Sequence, residues 1–295
     1  MKVSIVTPSY NQGQFIRRTI ESVISQSTPN IEIDHVVFDG GSRDESVEVL
    51  KSFGSHIKWE SKKDNGQADA VNKGILATDG EIIGWLNSDD IYYPNAIHKV
   101  VNYFNKNPEV DVVYGMADHI NLDDQAFEEY PTEPWNFERL QYTCFICQPA
   151  LFFRRKIVDT YGTLDKSLNY CMDYEFWLRL GKAGVMFGYL EEKLAGSRLY
   201  AENKTLGSRV KVHKEINDMF KSSFGYVPDR WLFNYAHAAL GHKLGISNTE
   251  GQKYSLSIAI RTLIAAIRWN AWVSRDMRRV LKPQIHSAII NIFKK

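Results

Sequence analysis

In the stretch Gly80–Asp90, GEIIGWLNSDD, the apolar residues Ile82, Ile83, Trp85 and Leu86 are followed almost at once by two adjacent carboxylates, Asp89 and Asp90. Neighbouring carboxylates at the mouth of a buried strand repel each other and lose hydration, so a positive partner must compensate them. A divalent cation with oxygen ligands is one answer, and Mg²⁺ typically takes one or two protein carboxylates together with the phosphates of a substrate. That chemistry points to a nucleotide diphosphate. The alternative is a solvated NSDD turn whose aspartate caps a helix beginning near Pro94. Other aspartates sit in comparable places: Asp39 in FDGGS and Asp64 in KDNGQ. Asp173, which opens MDYEFWLRL, reads by itself as a helix N-terminal aspartate favoured by the dipole. The chain has no GxG, no GxxxxGK[ST], no HExxH and no GxSxG, which disfavours a dinucleotide loop, a P-loop, a zinc protease and a serine hydrolase. A bound nucleotide would be held by metal and side chains.

Alternating strand and helix patterns must position these residues. KVSIVT, IEIDHVVF, IKWE, EIIGWL and VDVVYG read as strands. Between them, Phe15, Ile16, Ile20, Val23 and Ile24 mark one helix, Ala68, Val71 and Ile75 another, and Ile97, Val100, Val101 and Phe104 a third. Ser42 with Glu45 predicts a capping box, and Pro94 predicts a first helical turn. Strands spaced by helices imply an α/β fold whose mostly parallel sheet is covered on both faces, with ligands beyond the carboxyl ends of the strands. Thr7, Ser9, Tyr10, Asp39, Asp64, Asp89 and Asp90 all fall at or just past those ends. Further on, CQPALFFRR and KLAGSRLY read as strands and MDYEFWLRLGKAG as a helix stopped by Gly184. After Thr205 the pattern is helical, so a boundary is expected near residue 205.

The chain of 295 residues carries a formal charge of +1, which argues against a nucleic-acid binder. From Lys253 to Lys295, however, nine Lys/Arg face a single acid, Asp276, a balance of +8. There Leu256, Ile260, Leu263, Ile264, Ile267 and Ala271 keep helical spacing beside Arg261, Arg268, Arg275, Arg278 and Arg279, with Trp269 and Trp272 nearby. Such a helix suits an anionic membrane surface, or else packs on the rest of the chain or on another subunit of a homo-oligomer. Three cysteines, Cys144, Cys147 and Cys171, suit a reducing compartment. With a poor signal-peptide pattern and no apolar run of spanning length, the expectation is a cytoplasmic protein, with peripheral attachment to the inner membrane face as the second reading. The CFIC spacing lacks a second pair, so buried thiols are favoured over a redox or zinc pair.

VSIVTPSYNQGQFIRRTIESVISQ, DGGSRDES, KDNGQADAVNKGILATDGEIIGWLNSDD and MDYEFWLRL, in this order, resemble the family 2 glycosyltransferases of the GT-A (nucleotide-diphospho-sugar transferase) fold. The likeness covers residues 1–205 and implies a catalytic domain there, with a nucleotide-binding half over 1–115 and an acceptor half over 116–205. A C-terminal helical region would follow over 206–295. The resemblance implies an inverting, metal-dependent transfer of a sugar from a nucleotide diphosphate, with UDP favoured, to an acceptor hydroxyl on a glycan or lipid-linked glycan. It places Thr7 and Pro8 along the base pocket, Tyr10 stacked on the base, Asp39 on the uracil ring N–H, and Asp64 and Gln67 at the nucleotide side. Asp89 falls near the ribose and phosphate, Asp90 on the Mn²⁺ or Mg²⁺ ion, and Asp173 on the catalytic base. Three departures stand out: Ser88 replaces a first aspartate, Met172 a glutamate, and Tyr200 a histidine that can complete the metal site. Arg198 and Lys204 are candidates for the charge of the departing diphosphate, or else ordinary surface cations.

Those departures keep a second reading open, a non-catalytic sugar-nucleotide-binding or scaffold subunit of a polysaccharide-assembly complex. A nucleotidyltransferase is a third, disfavoured because TPSYNQGQF lacks basic residues.

Overall fold

The computed structural model describes residues 1–200, 203, 207–244 and 252–293. The chain divides into two compact units, Met1–Tyr200 and Ala201–Lys295. Residue 205 and Lys204 lie outside the described residues.

The first unit is built on a nine-stranded sheet: β1 (Lys2–Ser9), β2 (Glu32–Asp39), β3 (Lys58–Ser61), β4 (Ile82–Trp85), β5 (Ile91–Tyr92), β6 (Val112–Ile120), β7 (Ala126–Glu129), β8 (Leu151–Arg154) and β9 (Phe187–Arg198). Its order is β3-β2-β1-β4-β8-β6-β9-β5, with β7 paired to β6. β1 to β4 are mutually parallel; β8 is antiparallel to both β4 and β6, and β9 is parallel to β6. Most strands therefore run one way, with β5, β7 and β8 reversed. An interior strand covered on both sides must be apolar throughout. β1 and β4 accordingly have every residue but Lys2 buried.

The helices needed here are α1 (Gly13–Ile24), α2 (Ser46–Ser52), α3 (Gln67–Leu76), α4 (Ala96–Lys106), α5 (Phe137–Leu140), α6 (Lys156–Tyr161) and α7 (Met172–Lys182). On one face Val3, Ile5 and Ile82 pack with Ile97, Val100 and Phe104 of α4, and Val37 packs with Ile16, Ile20 and Leu50 of α1 and α2. On the other lie α3 and α7. Gly74 of α3 comes so near the sheet that an added Cβ would sit 2.2 Å from Val6 Cγ1, and Phe176 of α7 meets the ring of Phe153 edge-on.

Two local expectations are corrected. Ser42 and Glu45 form no capping box, because Ser42 Oγ donates to Asp39 and α2 starts at Ser46, bonded instead to Asp44. Pro94 lies ahead of α4, which is entered through Asn95 at φ 64°.

The second unit is helical over its described residues: α8 (Arg209–Phe224), α9 (Asp229–Leu244), α10 (Gln252–Asn270) and α11 (Arg275–Phe293). Phe220, Trp231, Leu232, Leu240, Ile258 and Trp269 are buried within it. Asn270 clamps Val227 with a hydrogen bond in each direction, 2.8 and 2.9 Å, and Ser274 Oγ caps α11 by accepting from Met277 N at 2.8 Å. Among the described residues no helix is long and apolar enough to cross a membrane.

Candidate active site

Parallel register sets the strand ends side by side: Ser9 pairs with Asp39, and Asp39 with Ser61. Asp39 is buried, and its carboxylate gathers the turn that follows it. Oδ2 accepts from Ser61 Oγ at 2.6 Å, from Ser42 N at 2.9 Å and from Gly41 N at 3.1 Å, while Oδ1 accepts from Ser42 Oγ at 2.5 Å. Asp64 lies against this turn, since a Cβ on Gly40 would be 3.0 Å from its Oδ2, and it accepts from Gly66 N at 2.9 Å. Gly66, at φ 102°, is a backbone that only glycine adopts cheaply, and it turns the chain into α3 so that Gln67 heads the helix.

Gln67 links the loop after β3 to the adjacent carboxylates. Its Nε2 donates to Asn87 Oδ1 at 2.8 Å, which also receives Trp85 Nε1 at 2.8 Å. Asn87 Nδ2 donates to Gln148 Oε1 at 2.8 Å and to Asp90 Oδ2 at 3.2 Å. Asp90, 4% exposed, accepts from Arg198 N at 2.9 Å through its other oxygen. Thr19 of α1 donates to the carbonyls of Ser88 and Asp90 at 2.9 and 2.8 Å, closing the turn from behind. Asp89 is only half-buried; its Oδ2 accepts from Tyr200 OH at 3.0 Å, and Gln12 Nε2 donates to that hydroxyl at 3.2 Å.

Burial raises the pKa of both carboxyls. For Asp89, the Tyr200 hydrogen bond and the Arg198 charge oppose the rise; for Asp90, the charge of Asp89 adds to it and carries it well above the usual carboxylate range. Two such groups, with the nearby buried guanidinium of Arg198 paired to Asp124, fit a hard cation, which would relieve their repulsion. No group of three His, Cys, Asp or Glu side chains able to hold a metal is formed among the described residues.

Thr7 and Pro8 are buried at the end of β1, with Thr7 Oγ1 3.0 Å from His35 Nε2; burial depresses His35 to about 3 and keeps the imidazole neutral. Tyr10, just past the strand, is 60% exposed, a ring free to take a planar partner. Asp173 stands in the first turn of α7 and accepts from Tyr174 N at 2.7 Å. Burial pushes the Cys147 thiol pKa well up, and the charge of Asp90 and, to a lesser degree, that of Asp173 add to the rise. Cys147 and Cys171 are buried and Cys144 half-buried, all three as free thiols.

Arg198 departs from the surface reading. Its side chain is 1% exposed and lies 4.7 Å over the Phe15 ring; it donates to Asp89 O at 2.7 Å, to Asn121 O and to the Asp124 carboxylate. It braces the turn from within and is not an open cation for a diphosphate. The sequence reading also missed Asn87 and Gln148, although a lone glutamine before the apolar run PALFF signalled a polar task beside buried neighbours.

The sheet order, the helices on both faces and the strand-end carboxylates define the GT-A class of nucleotide-diphospho-sugar transferase folds. The sequence model of glycosyl transferase family 2 matches residues 4–162, and the chain belongs to that family. An uncharacterised glycosyltransferase of Rickettsia prowazekii is 30% identical over 217 residues, 69% of this chain and 65% of its own length. The chondroitin synthase of Escherichia coli is 25% identical over 72% of this chain and 31% of its own. The chain thus spans less than two thirds of either relative. Among solved structures, S. aureus TarS 1-349 in complex with UDP-GlcNAc superposes with a TM-score of 0.63 at 16% identity, covering 99% of this chain and 89% of that one. Mannosyltransferase PcManGT from Pyrobaculum calidifontis in complex with GDP-Man and Mn²⁺ gives 0.59 at 15%, covering 97% and 80%.

Proposed function

We propose that this protein is an inverting glycosyltransferase that moves a sugar from a nucleotide diphosphate, UDP favoured, to an acceptor hydroxyl on a glycan or lipid-linked glycan. The observation that carries this reading is the continuous chain of contacts from the Gln67 loop through Asn87 to the Asp89–Asp90 pair. One cradle thereby combines a loop able to hold a nucleotide with two carboxylates short of positive charge. Family membership supports the same chemistry, and the TarS and PcManGT complexes hold nucleotide sugars on this fold.

In this reading Tyr10 stacks on the base while Thr7 and Pro8 line its pocket. Asp39 accepts its ring N–H, and Asp64 and Gln67 bound the nucleotide side. Asp89 and Asp90 would hold the divalent ion, Mn²⁺ or Mg²⁺, with the half-buried Asp89 the more open of the two. The cation, when bound, supplies charge neutralisation for the departing diphosphate. Orientation of donor and acceptor by the fixed strand ends lowers the entropic barrier. Asp173 takes the acceptor's hydroxyl proton as that oxygen forms its bond to the anomeric carbon; the bond from that carbon to the diphosphate oxygen breaks, and the nucleoside diphosphate leaves with the electron pair. Attack opposite the leaving group inverts the centre in one displacement.

The test is nucleoside diphosphate release across a panel of nucleotide sugars with Mn²⁺. One donor should turn over, and Asp173→Asn should keep donor binding while kcat falls about 10²–10⁴-fold. Near-normal turnover by Asp173→Asn would remove it from the base role. Donor binding without any turnover, in the presence of varied acceptors, would favour the scaffold-subunit reading that Met172, Ser88 and Tyr200 keep in play.

A further inference from the structure

Helix α10 is apolar on two opposite faces. Ile258, Ala259, Ala265, Ala266 and Trp269 are buried inside the helical unit. Ile260, Ile264 and Ile267, which recur at four and three residues and so share one face, point the other way and are 47, 60 and 61% exposed. Trp272, just past the helix, is 54% exposed. The stripe that the sequence pattern marks most clearly is thus the one facing solvent, where a soluble helix ordinarily carries polar side chains.

The chain around this stripe is cationic in sequence, its nearest carboxylate partners being Asp218 on Trp269 and Asp229 on Ser274. Arg261 and Arg268 follow Ile260 and Ile267 by one residue on the same flank, and Arg268 lies 4.7 Å over the Trp269 ring. The next helix presents Arg275, Arg278, Arg279 and Lys282, all exposed and spaced for a single face; Asp276 is the one acid between residues 254 and 293. A second copy packed on this stripe about a two-fold axis would set like-charged arginines against one another, which opposes self-association. An acidic lipid surface complements both features, taking the isoleucines and the indole at the acyl boundary and the guanidiniums at its phosphates.

We propose that the Ile260–Ile264–Ile267 face of α10, with Trp272 and the flanking arginines, seats this protein on an anionic bilayer surface. Vesicle binding requires no sugar transfer, so this inference stands or falls apart from the proposed activity.

The experiment is co-sedimentation of the full chain with vesicles of phosphatidylcholine alone and of phosphatidylcholine with phosphatidylglycerol, at low and high salt. Partitioning to the anionic vesicles is expected, weaker in high salt and slight on phosphatidylcholine. Ile264→Asp and Ile267→Asp should each lower the partition coefficient about tenfold, and Arg278→Gln and Arg279→Gln about fivefold each. The unfolding temperature should hold, because these side chains are exposed; if the aspartates unfold the chain, Ile264→Ser with Ile267→Ser makes the same comparison. Absence of the wild type from the anionic pellet, or equal sedimentation of the isoleucine variants, overturns the proposal. A dimer in sedimentation equilibrium that Ile264→Asp dissolves also overturns it and gives the face to a second copy.

Discussion

Asp89 and Asp90 carry a testable tension between stability and use. Both hold their protons more tightly in the folded chain than in the unfolded one. Above the ordinary aspartate range the folded state therefore binds more protons, and stability falls as pH rises through the raised folded values. Asp89→Asn keeps an acceptor for Tyr200 and removes the repulsion, so at pH 7 it should raise Tm by about 2–4 °C, with the difference vanishing near pH 4. The measurement is thermal unfolding of both proteins across that range without divalent ions; a lower Tm for the variant at pH 7 would contradict the stated cause. Much of this scale was legible beforehand. Asp39, Asp64, Gln67 and the adjacent aspartates are short-range patterns at strand ends, visible as polar letters closing apolar runs. The roles of Asn87, Gln148 and Arg198 were not, because each depends on a partner 61 to 109 residues away, or on burial that no local pattern records.

The elements hold the site by close approach and by one long strand. β9 delivers Arg198 to the turn that follows β4, supplying a backbone N–H to Asp90 and a side chain to Asp89 O. Removing a buried charge strands its partners. Arg198→Met should accordingly lose about 3 kcal/mol in urea denaturation and weaken nucleotide binding as the turn relaxes; unchanged stability would mean that the guanidinium braces nothing. Helix α3 must press on β1 to bring Gln67 to Asn87, and Gly74 permits it. Gly74→Ala is expected to cost about 1–3 kcal/mol by the same measurement, because Val6 has no space to yield in a sheet buried on both faces. The parallel strands β1, β2 and β4 were readable from their apolar runs, and β3 from the short IKWE stretch between turn residues. β5 and β7 were not, since two and four residues of mixed polarity lack a usable period, and the reversed direction of β8 is set by its neighbours in the sheet. The capping box at Ser42 failed because Asp39, three residues earlier, competes for the same hydroxyl.

Over the whole molecule, the two units solve different problems. The first surrounds a line of strand ends with loops and turns them into a site; the second buries one face of each helix and leaves Ile260, Ile264 and Ile267 in solvent. Helical periodicity located α10 correctly, yet the apolar stripe it revealed is not the stripe that forms the core. Small residues such as Ala259, Ala265 and Ala266 pack inward because neighbouring helices come close, a tertiary demand that hydropathy does not report. The central claim, that a nucleotide diphosphate is held with a divalent ion at the Asp89–Asp90 pair, is met most directly by calorimetric titration of UDP into the full chain with and without Mn²⁺. Saturable binding that needs the ion and weakens about 10–100-fold in Asp89→Asn and in Asp90→Ala is the predicted result. Binding of equal strength in those variants, or indifferent to Mn²⁺, would contradict it.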